Sequence, residues 1–209
     1  MFDIENFYLF LTVSILINLS PGPDMLYTAS RSLSQGTKAG IFSALGIFTG
    51  CLFHTCAAVL GLSAILAKSA FWFGIIKYAG AAYLIYLGIK SILNNNPPET
   101  ELANLTAIPN RKIFMQGFIT NLLNPKVAIF FLSFLPQFIN PSSPYIKEQI
   151  FFLGLWFDLQ GTMILIGVAI LTGYFNRILK RNKNFWKWQD KITGLILVGL
   201  GIRMLFVRK

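Results

Sequence analysis

The stretch NLSPGPDML, residues 18–26, decides how this chain is read. It follows FYLFLTVSILI (7–17), an almost wholly apolar run, with two prolines, a glycine and an acid. Phe7 to Ser20 supplies 14 residues, whereas a membrane helix needs about 20. The span is complete only if the chain continues through MLYTASRSL (25–33), so the interruption falls inside the bilayer. A second run behaves alike: IFMQGFITNLL (113–123) is too short, NPK (124–126) interrupts it, and VAIFFLSFLPQFI (127–139) completes the crossing.

Irregular backbone at that depth is tolerated only where it is buried in protein or lines a wet cavity. Proline removes a donor and clashes with the preceding turn. Each run should therefore divide into two half-helices, with Pro23 and Pro125 at the first helical position and Gly22 and Asn124 as N-caps. A helix N-terminus is partly positive and attracts anions. The amides of Asp24, Met25 and Leu26, and of Lys126, Val127 and Ala128, should face the breaks, while the preceding half-helices offer free carbonyls. Asn18, Pro21, Gly22, Pro23, Asp24, Asn121, Asn124, Pro125 and Lys126 thus become candidate binding positions for a small zwitterion. Its carboxylate would meet the amides and Lys126, and its ammonium Asp24, Asn18 or the carbonyls. One proline kink would merely shape a bundle; two, each beside a charge, argue for a site.

Composition agrees. Of 209 residues 55% are hydrophobic and 12% charged, with a mean hydropathy of +0.61. Twenty Phe, seven Tyr and four Trp suit a protein in contact with the lipid bilayer. The net charge of +10 does not mark a nucleic-acid partner, because most Lys and Arg lie between apolar runs. The acidic start, MFDIENFYLF, lacks the basic region of a cleaved signal.

Six apolar segments are expected, at 4–33, 38–66, 70–93, 111–139, 148–172 and 189–207. The Asn- and Pro-rich stretch 94–112 reads as a cytoplasmic linker between a first three-helix unit (1–93) and a second (113–209). Arg31, Lys38, Lys90, Arg111, Lys112, Arg177, Lys180, Arg181, Lys183, Lys187 and Lys191 put eleven cations on one face. Lys68, Lys77, Lys147, Arg203, Arg208 and Lys209 put six on the other. The richer face should be cytoplasmic, leaving both termini outside.

The halves echo one another. FWFGIIKYAG (71–80) matches FWKWQDKITG (185–194), LGIK (87–90) matches LGIR (200–203) after one deletion, LGIFTG (45–50) matches LGLWFD (153–158), and NLSPGP (18–23) matches NLLNPK (121–126). Three spans separate each pair, so the second unit should sit upside down relative to the first. The expected fold is an all-α integral membrane protein: six transmembrane helices as two inverted three-helix repeats, the first and fourth helices broken. Small residues every seventh position (Gly36, Ser43, Gly50, Ala57, Ala64; then Gly74, Ala81, Gly88) should form packing seams. They are compatible with self-association.

Intramembrane charges are expensive and usually functional. Asp24 and Asp158 are candidates for carrying a coupling proton. Lys126, a cation at a helix N-terminus, opposes the dipole and asks for an anion or for Asp158 as its partner. His54 and Gln160 are candidate pore-lining residues. A metal ion exporter would want more acids or histidines than two aspartates and one His. A thiol–disulfide enzyme would want cysteines that meet, and Cys51 and Cys56 lie about 140° apart on one helix. No nucleophile–base pairing is legible, so neither an enzyme, a metal site nor a cofactor is expected.

These residues carry a resemblance. SPGPDMLYTASRSLSQGTKAGIFSALGIFTG (20–50), KYAGAAYLIYLGIK (77–90) and GFITNLLNPKVAIFFLSFLPQF (117–138) are similar to the LysE/RhtB-type amino-acid exporters. The resemblance implies six helices in a bacterial inner membrane and export of amino acids or close derivatives driven by proton exchange. The family's PGP motif maps onto Pro21, Gly22 and Pro23, and its NPK motif onto Asn124, Pro125 and Lys126.

Overall fold

The computed structural model describes residues 4, 6–68, 70–93, 106–174 and 183–206; the side chains of 62–68, 70–73, 76, 77, 183–190, 193, 196, 200 and 204 fall outside it. The described chain is all helical, and the interruptions lie where the prolines put them. The first run divides into α1 (Phe7–Leu19) and α2 (Pro23–Gln35), bent by 50°. Gly22 is the N-cap of α2 and Pro23 its first residue.

Gly36 follows at φ 85°, a left-handed turn that glycine adopts freely, and the chain re-enters as α3 (Thr37–Lys68). α4 (Ala70–Leu93) comes next. The second interrupted run is α5 (Asn110–Leu122), then α6 (Pro125–Ile129), a π turn (Phe130–Phe134) and a 3-10 turn (Leu135–Phe138), bent by 45° at the break. Pro136 has no amide hydrogen to return to residue 132, so the local bonding shifts to the wider and then the tighter turn. α7 (Ile146–Tyr174) and α8 (Lys183–Phe206) complete the fold.

Residues 37–61 and α7 are each long and apolar enough to cross a membrane, and the two bent pairs together meet the same measure, giving up to four spans by length and composition among the described residues. The segment boundaries expected from hydropathy agree within a few residues, except that α8 starts at Lys183 rather than 189. Residues 94–105 of the linker, and the cations Arg177, Lys180, Arg181, Arg208 and Lys209, lie outside the described residues.

α3 is the central post, packed on α2, α5 and α7. Its small residues let α5 approach. A methyl on Gly50 would lie 2.8 Å from the Phe118 carbonyl oxygen, and one on Gly117 2.6 Å from that of Ser43. Gly46, outside the period of seven, abuts the Phe114 backbone. The seam ends there: Gly36 is a turn, Ala57 is exposed and Gly74 touches nothing within 4 Å. Small residues are needed only where another helix runs alongside.

The other close pair is α4 with α8, where a methyl on Gly88 would lie 2.6 Å from the Gly194 carbonyl oxygen and one on Gly201 2.8 Å from that of Ala81. Phe10, Phe130, Phe131, Phe134, Phe138 and Phe157 fill the core beside the breaks, with Phe130 stacked on Phe157 at 3.9 Å.

Arg31 departs from expectation. Counted as a loop cation, it lies inside α2 and is only 6% exposed. Its guanidinium donates to Tyr27 Oη (3.3 Å), Gln35 Oε1 (3.2 Å), the Thr106 carbonyl (3.3 Å) and Gln116 Oε1 (2.9 Å). Gln35 donates in turn to the Ile108 carbonyl at 2.9 Å. The end of the linker is thereby pinned to α2 and α5. A planar five-donor group can hold so many acceptors at once; hydropathy does not register that.

Candidate functional site

The two breaks meet. Lys126, second residue of α6, extends its side chain to the end of α1, where Nζ donates to the carbonyl oxygens of Ile17 (3.1 Å) and Ser20 (2.8 Å). Gly22 makes room: a methyl there would stand 3.1 Å from Nζ. Asp24, second residue of α2, is met from the other side, its Oδ2 accepting from Asn121 Nδ2 at 2.8 Å near the end of α5. Each N-terminal charge thus faces the C-terminal end of the opposite broken helix.

Lys126 is placed differently from expectation. It opposes the dipole of its own half-helix, yet its ammonium sits at the negative end of α1, where that charge is favourable. Its direct partners are carbonyls rather than Asp158, although Asp24 is close enough to act on it electrostatically. Two of the carbonyls expected to take a substrate ammonium, those of Ile17 and Ser20, are therefore already occupied. Several amides are occupied too. Lys126 N donates to Asn124 Oδ1 (3.0 Å), Ala128 N to the Asn124 carbonyl (3.1 Å) and Leu26 N to the Gly22 carbonyl (3.0 Å).

What the site offers is acceptors. Ser20 Oγ, Asp24 Oδ1, Asn121 Oδ1 and Asp158 Oδ1 are buried without a hydrogen-bond partner, and all four residues line one cavity. The cavity encloses about 40 Å³, room for a few water-sized groups. Asn18, Lys126 and Thr162 add further polar groups to its lining, and Met25, Ile47, Phe48, Val127, Phe157 and Leu165 supply apolar surface. Buried polar groups are nearly always paired, so three acceptor oxygens and one hydroxyl in one place suit water or a ligand that brings N–H or O–H donors.

Asp158, on α7, is 3% exposed. Its Oδ2 accepts from Thr55 Oγ1 on α3 at 3.0 Å. Gly154, one turn earlier, permits this: a methyl there would stand 2.8 Å from Thr55 Oγ1. Gly161, one turn later, seats Asn18, whose Nδ2 donates to the Phe157 carbonyl at 3.3 Å.

Of the expected site residues, Asn18, Asp24, Asn121, Lys126 and Asp158 line the cavity. Pro21, Gly22, Pro23, Asn124 and Pro125 shape the breaks without lining it, and Asn124 Nδ2 is a buried donor without a partner. His54 and Gln160 do not line the cavity either. His54 Nε2 bonds the Asn121 carbonyl at 3.3 Å and its ring stacks on Phe131, while Gln160 Oε1 is buried without a partner. Sequence reasoning missed Ser20, Thr55 and the apolar wall, whose residue types are common to every membrane helix. It also gave Cys51 no place; the thiol is buried in the cavity wall, while Cys56 is exposed, and both are free. Among the described residues no group of three or more His, Cys, Asp and Glu could hold a metal ion.

The chain is 36% identical to the uncharacterized membrane protein YrhP of Bacillus subtilis (strain 168), over 93% of this chain and 95% of that protein. It is 28% identical to the leucine efflux proteins of Salmonella choleraesuis and Salmonella typhimurium, over 97% of this chain and 96% of theirs. No solved structure matches. The profile of the LysE type translocators matches residues 15–208, from just before the first break to the end of the last helix. A membrane protein with two helices interrupted around one buried polar cavity, this chain belongs to the LysE type translocator family.

Proposed function

We propose that the protein exports neutral amino acids with apolar side chains, of which leucine is the type, from the cytoplasm in exchange for protons. The observation that carries this reading is the polarity of the central cavity. Unpartnered oxygens of Asp24, Asn121, Ser20 and Asp158, together with Lys126, share its lining with aliphatic and aromatic side chains. An α-ammonium supplies three donors for those acceptors. An α-carboxylate suits the one Nζ hydrogen of Lys126 that Ile17 and Ser20 leave over. An uncharged side chain suits the wall once the cavity, which at about 40 Å³ is a closed form, widens to admit it, and the Salmonella relatives are named for leucine efflux.

Alternating access follows from the inverted plan. Under the sequence match, Gly88 corresponds to Gly201 and Gly80, the chain neighbour of Ala81, to Gly194. In support, Gly88 packs on Gly194 while Gly201 packs on Ala81. The charge pairs repeat the relationship, Lys126 reaching the end of α1 and Asn121 reaching Asp24. Such reciprocity is what two units related by a two-fold axis in the membrane plane require. Six spans in two units, 1–93 and 113–209, with 94–112 and the Lys- and Arg-rich face in the cytoplasm of a bacterial inner membrane and both termini outside, complete the proposal.

The test is a panel of amino acids supplied as dipeptides to cells with and without the gene. Leucine, isoleucine, valine and methionine should be retained and inhibit growth only in cells without it. Equal intracellular leucine in both strains would overturn the reading.

A further inference from the structure

The family membership and the cavity leave the coupling of substrate to proton without an assigned group. Asp158 is a carboxyl in the middle of a membrane helix, 3% exposed, with one oxygen accepting from Thr55 and the other, Oδ1, buried without a partner in the cavity wall. The cation the sequence offers it, Lys126, is bound to Ile17 and Ser20 instead. A charge at the bilayer centre without compensation costs at least about 2.5–3.5 kcal/mol. Such a group must take up a proton or meet a cation.

The groups facing it are few. From α3 come Thr55 and the Cys51 thiol, which adjoins Asp158 and is also acted on by Asp24. His54 on the same helix is engaged by the Asn121 carbonyl. Asp24 of α2 and Lys126 of α6 share the cavity, Asp24 being held by Asn121. From α1 come Asn18 and Ser20, which do not titrate. No fixed cation bonds Asp158 among the described residues. A sodium ion would want about six hard oxygen ligands, and a thiol neighbour is a poor one.

We infer that the Oδ1 atom of Asp158 is the coupling site, occupied in turn by a proton and by the ammonium of the exported amino acid. The inference rests on the reading of this chain as a proton-coupled exporter. The two occupants exclude each other because they compensate the same charge in the same cavity. In the outward step the ammonium leaves Oδ1, and a proton from the outer side forms the O–H bond. In the inward step that bond breaks as a new ammonium arrives, and the proton passes to cytoplasmic water. Exchange is obligatory since the return with an ionised, uncompensated Asp158 is the costly one. Asp24, unlike Asp158, has the ammonium of Lys126 close enough to compensate its charge, and so serves the substrate and not the proton.

The test uses the full chain in liposomes and two assays. Leucine counterflow at equal pH reads the carrier alone; uptake into vesicles with an acidic interior reads coupling. One pH unit is worth about 1.4 kcal/mol, or about tenfold accumulation for each proton exchanged. For Asp158→Asn, counterflow is expected to continue with a raised half-saturation, because the amide still accepts from an ammonium, while gradient-driven accumulation falls to equilibrium. Asp158→Glu should restore accumulation, and Asp24→Asn should weaken half-saturation yet still accumulate.

Accumulation by Asp158→Asn would overturn the assignment. So would loss of both activities in Asp158→Asn with both restored in Asp158→Glu, which would make Asp158 a binding residue only. Accumulation driven by a sodium gradient at equal pH would overturn the choice of ion. Failure of the wild-type chain to exchange leucine or any other apolar amino acid would instead overturn the proposed function.

Discussion

The ammonium of Lys126 lies 2.8 Å from the carbonyl oxygen of Ser20, so the first residues of one broken helix close the end of the other. The same contact joins the two halves of the sequence, 106 residues apart. Lys126→Ala leaves the Ile17 and Ser20 oxygens without that donor at a depth where water is scarce. Hydrogen bonds to a charged group are worth about 1.5–3 kcal/mol each. Efflux should be abolished while the amount of inserted protein stays close to wild type, as read by leucine release and by immunoblot of membranes. Lys126→Arg should not rescue it, because a planar guanidinium does not fit the place of a point charge against Gly22. Normal release by either variant would remove Lys126 from the site.

Gly50 connects packing to binding. A methyl there would stand 2.9 Å from Asn121 Cβ and 3.0 Å from Asn121 Oδ1, the side chain that holds Asp24. Gly50→Ala should displace Asn121 and raise the half-saturation of efflux several-fold. Overpacking of this kind costs about 1–3 kcal/mol, so the melting temperature in detergent should fall as well. The matched control is Gly74→Ala, which meets nothing within 4 Å and should change neither.

Arg31 should behave as a structural clamp. Arg31→Lys keeps the charge but cannot reach Tyr27, Gln35, Thr106 and Gln116 together. Loss of these bonds predicts destabilisation of about 1.5–3 kcal/mol, seen as a lower thermal midpoint, with the half-saturation for leucine little altered. An unchanged midpoint would mean the clamp contributes nothing.

Thiol chemistry reads the cavity directly. In a Cys56→Ser chain the single remaining thiol, Cys51, faces the cavity. Its labelling by a small maleimide should be slow, and leucine should slow it further. In a Cys51→Ser chain the exposed Cys56 should label at a rate independent of leucine. Equal protection of both thiols would place leucine elsewhere.

Much of this was legible in the linear chain. The breaks at Pro21–Pro23 and Asn124–Pro125 follow from local covalent geometry, since a proline cannot sit in a helix interior without disturbing it. The segment boundaries follow from bilayer thickness. Asp24, Asn121, Lys126 and Asp158 stood out because polar groups are rare in such segments. Thr55, Cys51 and Ser20 did not, since small weakly polar residues occur on every face of membrane helices and only a neighbour gives one a role.

The sequence by itself determined that the chain enters the membrane, that two of its helices are interrupted there, and that charges stand at the interruptions. Hydropathy and backbone stereochemistry act over one to a few turns, and the residue order contains them completely. Only the tertiary structure decided which partner each charge takes: Lys126 the end of α1, Asp24 the amide of Asn121, and Asp158 the hydroxyl of Thr55. The last two of those choices depend on how closely α3 approaches α5 and α7 at Gly50 and Gly154, an approach between segments about 70 to 100 residues apart that no local pattern encodes.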